Sequence, residues 1–265
     1  MNPQPLRIHI LTEEDPFYLP IFFREFFDNL VRERFIVTGV DITPPLNAKS
    51  PGALARKLHR LYGSFDFIRL GIRYAIEKAK DVLLPQFVWA GTVKRISHQH
   101  GVPCSDVSNV NASEYVERVG ALHVDLLISV AASQIFKKEL LAAPQLDAIN
   151  IHTGTLPEYR GMLPVFWQMY DGRQEIGITI HTMTPQIDLG EILAHRTIQL
   201  HGNRNLDLAI REMKLQGARL MLELLEQYYN GSVKRTAMNR SHENYRSFPG
   251  AVESKNFRAK GYRLL

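Results

Sequence analysis

The sequence predicts an α/β protein with a doubly wound, mostly parallel sheet, and three observations indicate this class. Alternating apolar segments at 6–11 and 35–40 flank a stretch, 19–34, whose apolar residues recur at helical spacing. This β-α-β order implies parallel strands joined by right-handed crossovers. The segment DLLISVAA at 125–132 is apolar almost throughout, which is typical of a strand buried on both faces. The composition, 45% hydrophobic and 22% charged, is ordinary for a globular domain.

The remaining elements follow from periodicity and from turn residues. Helices are predicted at 53–84, 93–101, 112–123, 135–142, 163–170 and 206–229, and strands at 102–107, 148–152, 177–183 and 192–199. The last residues, 232–265, are polar and basic with little periodicity. We therefore predict a main domain at 1–204 that carries the functional site, followed by a C-terminal helix and a short basic extension at 205–265.

The sequence shows no recognisable targeting signal and a single cysteine, and we therefore expect a cytoplasmic protein. The N-terminus has no basic region followed by an apolar stretch, and no uncharged apolar run of about 18 residues predicts a membrane span. The single cysteine, Cys104, excludes an intramolecular disulfide, and no motif points to it as a nucleophile. The net charge of +5 favours anionic partners only weakly. The basic, apolar helix at 53–84 suits a solvated face above a core stripe, or a contact with a membrane or an acidic partner.

Three polar residues form the candidate catalytic site. Asn150 and His152 are two apart on a predicted strand, so their side chains share a face near its C-terminal end. Asp188 follows in a loop between two strands. An amide and a protonated imidazole can both donate to a developing oxyanion, and a nearby carboxylate favours the charged form of the histidine. The three residues suit acyl transfer without a serine or cysteine nucleophile, although each alone would more often be structural.

The stretch around these residues resembles the formyltransferase family. It reads Asn150-Ile-His152-Thr-Gly-Thr-Leu-Pro157-Glu-Tyr159-Arg160-Gly161, then GRQEIGITIHTM at 172–183, then Asp188-Leu-Gly190-Glu-Ile-Leu193. The family pattern is roughly N-x-H-P-S-L-L-P-x-Y-R-G, then G-V-T-I-H-x-M-D, then x-D-x-G-x-I-L. The resemblance covers residues 90–200 well. It implies a Rossmann-like formyltransferase fold and catalytic roles for Asn150, His152 and Asp188.

The resemblance also implies 10-formyltetrahydrofolate as formyl donor and no metal ion. Its pterin ring would lie in a narrow, mostly apolar slot and be held largely by backbone groups. The expected slot residues come from the segment after the buried strand and from the loop before Asp188: Ser133, Gln134, Ile135, Phe136, Thr184 and Ile187. For Phe136, core packing is the alternative role.

Departures from the family pattern bear on the acceptor. Thr153-Gly154 replaces Pro-Ser after the histidine, and Pro185 stands where an acid is common in the folate loop. The loop after the first strand is acidic, Thr12-Glu13-Glu14-Asp15, where the purine enzyme of the family has a phosphate cradle, so a ribonucleotide acceptor is disfavoured. Glu13 and Asp15 could instead attract an ammonium group, or could cap a helix. Tyr159 and Arg160 are further candidates for substrate contacts.

The favoured acceptor is a small amine, with a nucleotide-linked amino sugar as the leading choice. The tRNA enzyme carries a further C-terminal domain, whereas only about 35 residues follow the last long helix here. The basic residues of this tail could contact RNA, bind a nucleotide diphosphate or be solvated: Lys234, Arg235, Arg240, Arg246, Lys255, Arg258, Lys260 and Arg263. Methionyl-tRNA formylation, 10-formyltetrahydrofolate hydrolysis and non-catalytic folate binding remain alternatives, and a homodimer stays open.

Overall fold

A seven-stranded sheet forms the centre of the computed structural model, which describes residues 4–44, 51–83, 91–239 and 244–265. Its strands are β1 Leu6–Glu13, β2 Phe35–Thr43, β3 Cys104–Asp106, β4 Leu126–Val130, β5 Asp147–His152, β7 Glu175–Thr182 and β8 Ile192–Gln199. Two short strands, β6 Arg160–Gly161 and β9 Tyr245–Arg246, pair separately.

The strand order confirms the predicted fold class. The order is β3-β2-β1-β4-β5-β7-β8, and the first five strands are parallel. The chain builds outward from β1 to β2 and β3, then returns to the other side of β1 with β4, so the winding direction reverses between β1 and β4. Strands β7 and β8 are antiparallel additions at one edge. This is a doubly wound, mostly parallel sheet.

Helices cover both faces of the sheet. They are α1 Leu19–Asn29, α2 Pro51–Leu83, α3 Val93–Gln99, α4 Ser113–Ala121, α5 Lys138–Leu141, α6 Pro164–Tyr170, α7 Leu206–Tyr229 and α8 Ala251–Ala259. Neighbouring strand residues face opposite sides, so Ile149 joins the buried cluster under α1 and α7, whereas Ala148 joins the cluster under α4 and α5.

Three predicted helices differ from the structure by more than two residues or by an interruption. The first ends at Asn29, because Leu30 takes an extended conformation. The long second helix is interrupted at Gly63, whose φ of 68° and ψ of 171° are not helical. The helix predicted from residue 135 begins only at Lys138. There the Gln134 side-chain oxygen accepts from the Val110 amide and its side-chain nitrogen donates to the Ser108 carbonyl, so the segment before Lys138 is tied to the 108–111 loop.

The C-terminal residues are more ordered than their composition suggests. Helix α8 packs Phe257 fully buried against Phe166, with ring centroids 4.6 Å apart. Several basic residues of this tail are used inside the protein: Arg235 pairs with Asp147, and Arg246 with Asp171. Arg240 lies outside the described residues. The roles suggested for the basic tail, in contact with RNA, with a nucleotide diphosphate or with solvent, and the proposed boundary at 204/205 stay predictions.

Candidate active site

The face of β5 that lies toward α4 and α5 carries the predicted catalytic pair. Asn150 and His152 share it with buried Ala148. The antiparallel partner β7 places Thr179 opposite His152 and His181 opposite Asn150. Because β7 runs back along β5, the loop that follows must return over this face to bring Asp188 to His152. The site therefore lies on the sheet face near the end of β5, beneath a loop.

His181 fixes the orientation of the Asn150 amide. Its Nδ1 lies 2.8 Å from the Thr182 carbonyl, which only accepts, so Nδ1 carries the proton and Nε2 presents a lone pair. The Asn150 side-chain nitrogen lies 3.2 Å from that Nε2 and donates to it. Burial lowers the pKa of His181 to about 4, although the bond to the Thr182 carbonyl raises it, so His181 is neutral near pH 7. The second amide N–H of Asn150 is thereby left for another acceptor.

His152 is held between a backbone carbonyl and a carboxylate. Its buried ring donates from Nε2 to the Tyr159 carbonyl at 2.6 Å, so Nδ1 is the nitrogen that faces Asp188. The separation from Nδ1 to the Asp188 Oδ1 is 3.7 Å, longer than a hydrogen bond but short enough for the carboxylate to stabilise a charged ring. When charged, the ring offers an Nδ1–H on the Asp188 side, where an oxygen bound beside it could accept.

The Asp188 loop is pinned to the segment after β5. Asp188 has a left-handed φ of 52°, and its Oδ2 accepts from the Gly161 amide at 2.8 Å. Its Oδ1 faces both His152 and His181, at 3.7 and 3.8 Å. Arg160 donates to the Ile187 carbonyl at 2.7 Å through Nη2. The Tyr-Arg-Gly motif thus fixes the position of the carboxylate, and a non-glycine residue in the left-handed region is typical of a constrained functional loop.

Two glycines permit the close approaches in this site. A Cβ on Gly154 would lie 2.8 Å from the His152 Nε2 and 2.7 Å from the Pro164 Cβ. A Cβ on Gly190 would lie 1.7 Å from the Thr182 carbonyl oxygen, which is an impossible contact. The departure from Pro-Ser at 153–154 therefore has a steric meaning here, because His152 occupies the space that a serine side chain in place of Gly154 would need.

Gly190→Ala should displace the Asp188 loop. The new methyl group has a backbone oxygen in its way, so the loop must move, at a cost of about 1–3 kcal/mol for overpacking. We expect a lower melting temperature and at least tenfold slower turnover. Gly120→Ala is the matched control, since nothing lies within 4 Å of that Cβ. Thermal unfolding and steady-state rates check this, and wild-type turnover in Gly190→Ala would contradict it.

The residues predicted to hold the pterin lie on two loops that meet on the same side of the sheet. Phe136 is buried in the cluster under α4 and α5, and Met183, just before the Asp188 loop, packs against that cluster. Phe136 thus packs in the core, which is the alternative to pterin binding that the sequence left open for it. Ile135 and Ile187 remain 59% and 41% exposed, which leaves apolar surface that a flat ring could cover.

The polar members of this set brace the loops. Ser133 Oγ donates to the Pro44 carbonyl, Gln134 bonds to backbone of the 108–111 loop, and Thr184 Oγ1 donates to the Leu189 carbonyl at 2.6 Å. With their side chains so engaged, these residues could offer mainly backbone groups to a ligand. This arrangement fits a pterin held by main-chain contacts, and the individual binding roles stay predictions.

The acidic loop after β1 has divided roles. Asp15 accepts from the backbone amides of Phe17, Tyr18 and Leu19 at 2.8, 3.1 and 3.3 Å, which caps the start of α1. Glu14 accepts from the Val93 amide at the start of α3. Among the residues that the structure describes, Glu13 has no hydrogen-bond partner for its carboxyl group. Burial and then Asp15 raise the Glu13 pKa to about 7, whereas Lys214 opposes the shift.

Tyr159 and Arg160 have structural contacts. The buried Tyr159 hydroxyl accepts from Arg173 Nε at 3.0 Å, and its carbonyl accepts from His152. Arg160 braces the Asp188 loop as described above. Neither contact tests the predicted role in substrate binding. Burial raises the pKa of Cys104 to about 11, which makes it an unreactive thiol.

Glu13 should make stability depend on pH. An unfolded glutamate loses its proton near pH 4.5, whereas the folded one keeps it to about pH 7, so its contribution is complete below pH 4.5 and is lost as the pH rises through 7. We expect Glu13→Gln to stabilise the protein at pH 8 relative to pH 5 by about 1–3 kcal/mol. Urea unfolding at both pH values measures this, with exposed Glu33→Gln as control. An equal effect of Glu13→Gln at both pH values would exclude this origin.

The sequence did not single out His181, although the Thr-Ile-His segment of the resemblance contains it. The signal that could have indicated His181 was its position two residues after Thr179 on a predicted strand, which places both side chains on one face. No group of three or more histidine, cysteine or acidic residues suited to a metal lies within the described parts of the chain. In those same parts of the chain, no helix has the length and the apolar character needed to cross a bilayer.

Comparisons with known proteins agree with this geometry. The profile of the family described as formyl transferase matches residues 83–224. A methionyl-tRNA formyltransferase from Staphylococcus aureus is 34% identical over 140 residues, 53% of this chain and 45% of that protein. The chain thus spans about half the length of the curated relatives that it matches.

Solved structures share the fold. An N-formyltransferase from Helicobacter canadensis, in complex with folinic acid and dTDP-3-aminofucose, aligns over 91% of this chain and 71% of its own, with a TM-score of 0.57 and 14% identity. A glycinamide ribonucleotide transformylase from Symbiobacterium toebii aligns over 89% and 95%, with a TM-score of 0.59 and 15% identity. At these identities the likeness shows the fold alone.

Proposed function

Because the chain belongs to the formyl transferase family, we propose that it transfers a formyl group from 10-formyltetrahydrofolate to the amine of a small acceptor. The observation that carries this proposal is the convergence of Asn150, His152 and Asp188, which come from two separate segments of the chain. The exposed Ile135 and Ile187, the second of which precedes Asp188 in the chain, support a folate slot. A nucleotide-linked amino sugar is the acceptor class that we favour.

The proposed reaction needs no enzyme nucleophile. The neutral amine attacks the formyl carbon, a C–N bond forms, and the bond from that carbon to the folate nitrogen breaks. The free N–H of Asn150 and the Nδ1–H of charged His152 would donate to the formyl oxygen while negative charge develops on it. Asp188 would stabilise the charged His152 and help to move the proton from the amine to the leaving nitrogen, through a water where needed.

The start of α1 argues against a ribonucleotide phosphate at this position. A phosphate would use the amides of Phe17, Tyr18 and Leu19, but Asp15 already accepts from all three. Glu13, with its carboxyl group not hydrogen-bonded by the described residues, is better suited to receive an amine. This supports an acceptor other than glycinamide ribonucleotide.

Methionyl-tRNA is the second candidate acceptor, favoured by the 34% identity to the bacterial tRNA enzyme over 140 residues. The family profile matches 83–224, which contains the proposed catalytic residues. All members that transfer formyl groups would need these residues, so the identity does not by itself select tRNA. Several tail cations that could contact RNA are already paired with acids of this chain, including Arg235 and Arg246.

One assay separates the candidates. The protein is incubated with 10-formyltetrahydrofolate and, in parallel, with a dTDP-linked amino sugar, with methionyl-initiator tRNA, or with no amine. We expect tetrahydrofolate release to depend on the sugar, whose mass rises by one formyl group. Formylated tRNA alone would replace the favoured acceptor, formate release without amine would indicate a hydrolase, and folate binding without turnover would refute the catalytic proposal.

A further inference from the structure

The loop that follows His152 contains a glycine at a place where the backbone must be held still. It begins Thr153-Gly154-Thr155, and glycine is the residue with the most backbone freedom. A larger residue is excluded, because a Cβ on Gly154 would lie 2.8 Å from the His152 Nε2. The same loop carries the Tyr159 carbonyl, to which His152 donates at 2.6 Å. The contacts that hold this loop therefore also hold the His152 ring.

The side-chain amide of Gln168, on α6 and 1% exposed, binds the residues on both sides of Gly154. Its Nε2 donates to the Thr153 carbonyl at 3.2 Å, and its Oε1 accepts from the Thr155 amide and hydroxyl at 3.4 and 3.2 Å. Oε1 also accepts from the Gly177 amide of β7 at 2.7 Å. Because a carbonyl only accepts and a backbone amide only donates, these partners fix the orientation of the side-chain amide.

Thr179 holds the glycine itself. Its buried hydroxyl donates to the Gly154 carbonyl at 2.8 Å and accepts from the Leu156 amide at 3.2 Å. Thr179 lies opposite His152 in the sheet, so its place follows from the strand register. Gln168 has no such origin. It lies between the motif segments at 150–161 and 172–183, and the resemblance to the formyltransferase pattern does not include it.

A continuous line of hydrogen bonds joins Gln168 to His152. Gln168 binds Thr155, whose carbonyl accepts from the Tyr159 amide at 2.9 Å. The Tyr159 carbonyl in turn accepts from the His152 Nε2, which leaves Nδ1 on the side of Asp188. Buried supporting bonds of this kind keep a reacting group within the narrow range of orientations that catalysis requires.

We propose that Gln168 is a positioning residue for formyl transfer, which keeps the Tyr159 carbonyl in place and so holds the His152 ring with Nδ1 toward Asp188. This inference rests on the proposed function, because it gives Gln168 a part in that reaction. Gln168 acts through His152 and does not contact the substrate, since its own polar atoms are occupied by the protein. Its loss should therefore lower kcat and leave folate binding almost unchanged.

Gln168→Met tests this role, because methionine has a similar length and volume but makes none of these bonds. We expect kcat to fall about tenfold to a hundredfold and the KM for 10-formyltetrahydrofolate to stay within about threefold of wild type. Nitrogen-15 NMR spectra at high pH report the ring tautomer, and the His152 signals are those missing from His152→Ala. We expect the Nε2–H tautomer in the wild type and a mixture of tautomers in Gln168→Met.

Ser254→Ala is the control for a loss of stability alone. It removes a buried hydrogen bond on α8, from Ser254 to the Leu61 carbonyl, and should keep wild-type kcat and the wild-type His152 spectrum. Thr155→Ala is the second test variant, since it removes only the hydroxyl bond to Gln168. We expect the same changes on a smaller scale, with kcat lowered about threefold to tenfold. Thr155→Ala decides if Gln168→Met does not fold.

The proposal is overturned if the folded variant keeps wild-type kcat and an unchanged His152 spectrum, whatever its melting temperature, or if KM alone rises. The NMR comparison needs no turnover, so failure of the proposed function can be recognised separately. A wild-type protein that transfers no formyl group would refute that function. An altered His152 spectrum would then still support the orientation of His152 by Gln168, and an unaltered one would refute it.

Discussion

His152→Ala is expected to lower kcat about a thousandfold while leaving folate affinity within about threefold. In the proposed mechanism the variant loses a donor to the formyl oxygen, and one such donor is typically worth roughly 3–4 kcal/mol of barrier. It also leaves the Tyr159 carbonyl without the bond that it accepts from Nε2 at 2.6 Å, so we expect a loss of stability of about 1–3 kcal/mol as well.

The loss of the donor and the loss of stability can be measured separately. Single-turnover kinetics below the melting temperature report the rate, and calorimetric titration with folate reports the affinity of the folded protein. His98→Ala, at an exposed histidine far along the chain from the site, is the matched control and should keep wild-type turnover. If His152→Ala turned over within tenfold of wild type, His152 would not be the oxyanion donor, whatever became of the fold.

Asp188→Asn should lower kcat about a hundredfold to a thousandfold with little change in stability. The asparagine can keep its oxygen toward the Gly161 amide, where Asp188 now accepts at 2.8 Å. Its NH₂ group then faces His152 and His181 in place of a carboxylate. That NH₂ would donate to the ring nitrogens and favour neutral His152, which offers no Nδ1–H to the formyl oxygen.

The rate of Asp188→Asn is best measured from pH 6 to pH 9, with thermal unfolding at each pH. Exposed Asp106→Asn removes a surface carboxylate and is the control, expected to retain wild-type kcat. A variant that keeps more than a tenth of wild-type kcat at every pH would show that the Asp188 charge is dispensable.

The remaining predictions separate geometry from charge. Gly190→Ala moves the Asp188 carboxylate without removing it, whereas Asp188→Asn removes the charge and keeps the position. If both slow turnover, position and charge are each required. If only Asp188→Asn slows turnover, catalysis tolerates a displaced loop. The close approach of Gly190 to the Thr182 carbonyl then matters for folding alone.

The sequence by itself determined the fold class and the placement of Asn150 and His152, the proposed catalytic pair, on one face of β5. Apolar residues that recur every second residue, or at helical spacing, predicted most strands and helices. These patterns exist because a strand or a helix buries one of its faces. The alternation rule also places Asn150 and His152 on one face, as the structure has them. Helix α7, predicted at 206–229, has those limits in the structure, since Asn205 caps its start and its apolar residues continue to Tyr228.

Only the tertiary structure decided how the Asp188 loop returns over the sheet, that His181 orients Asn150, and that Asp15 is a helix cap while Glu13 is not. It also revealed α8, whose packing of Phe257 against Phe166 brings together residues 91 positions apart. Local patterns report which face of an element is apolar, but not which distant element covers it. Contacts between such elements form only when the chain is folded, so they had to be observed.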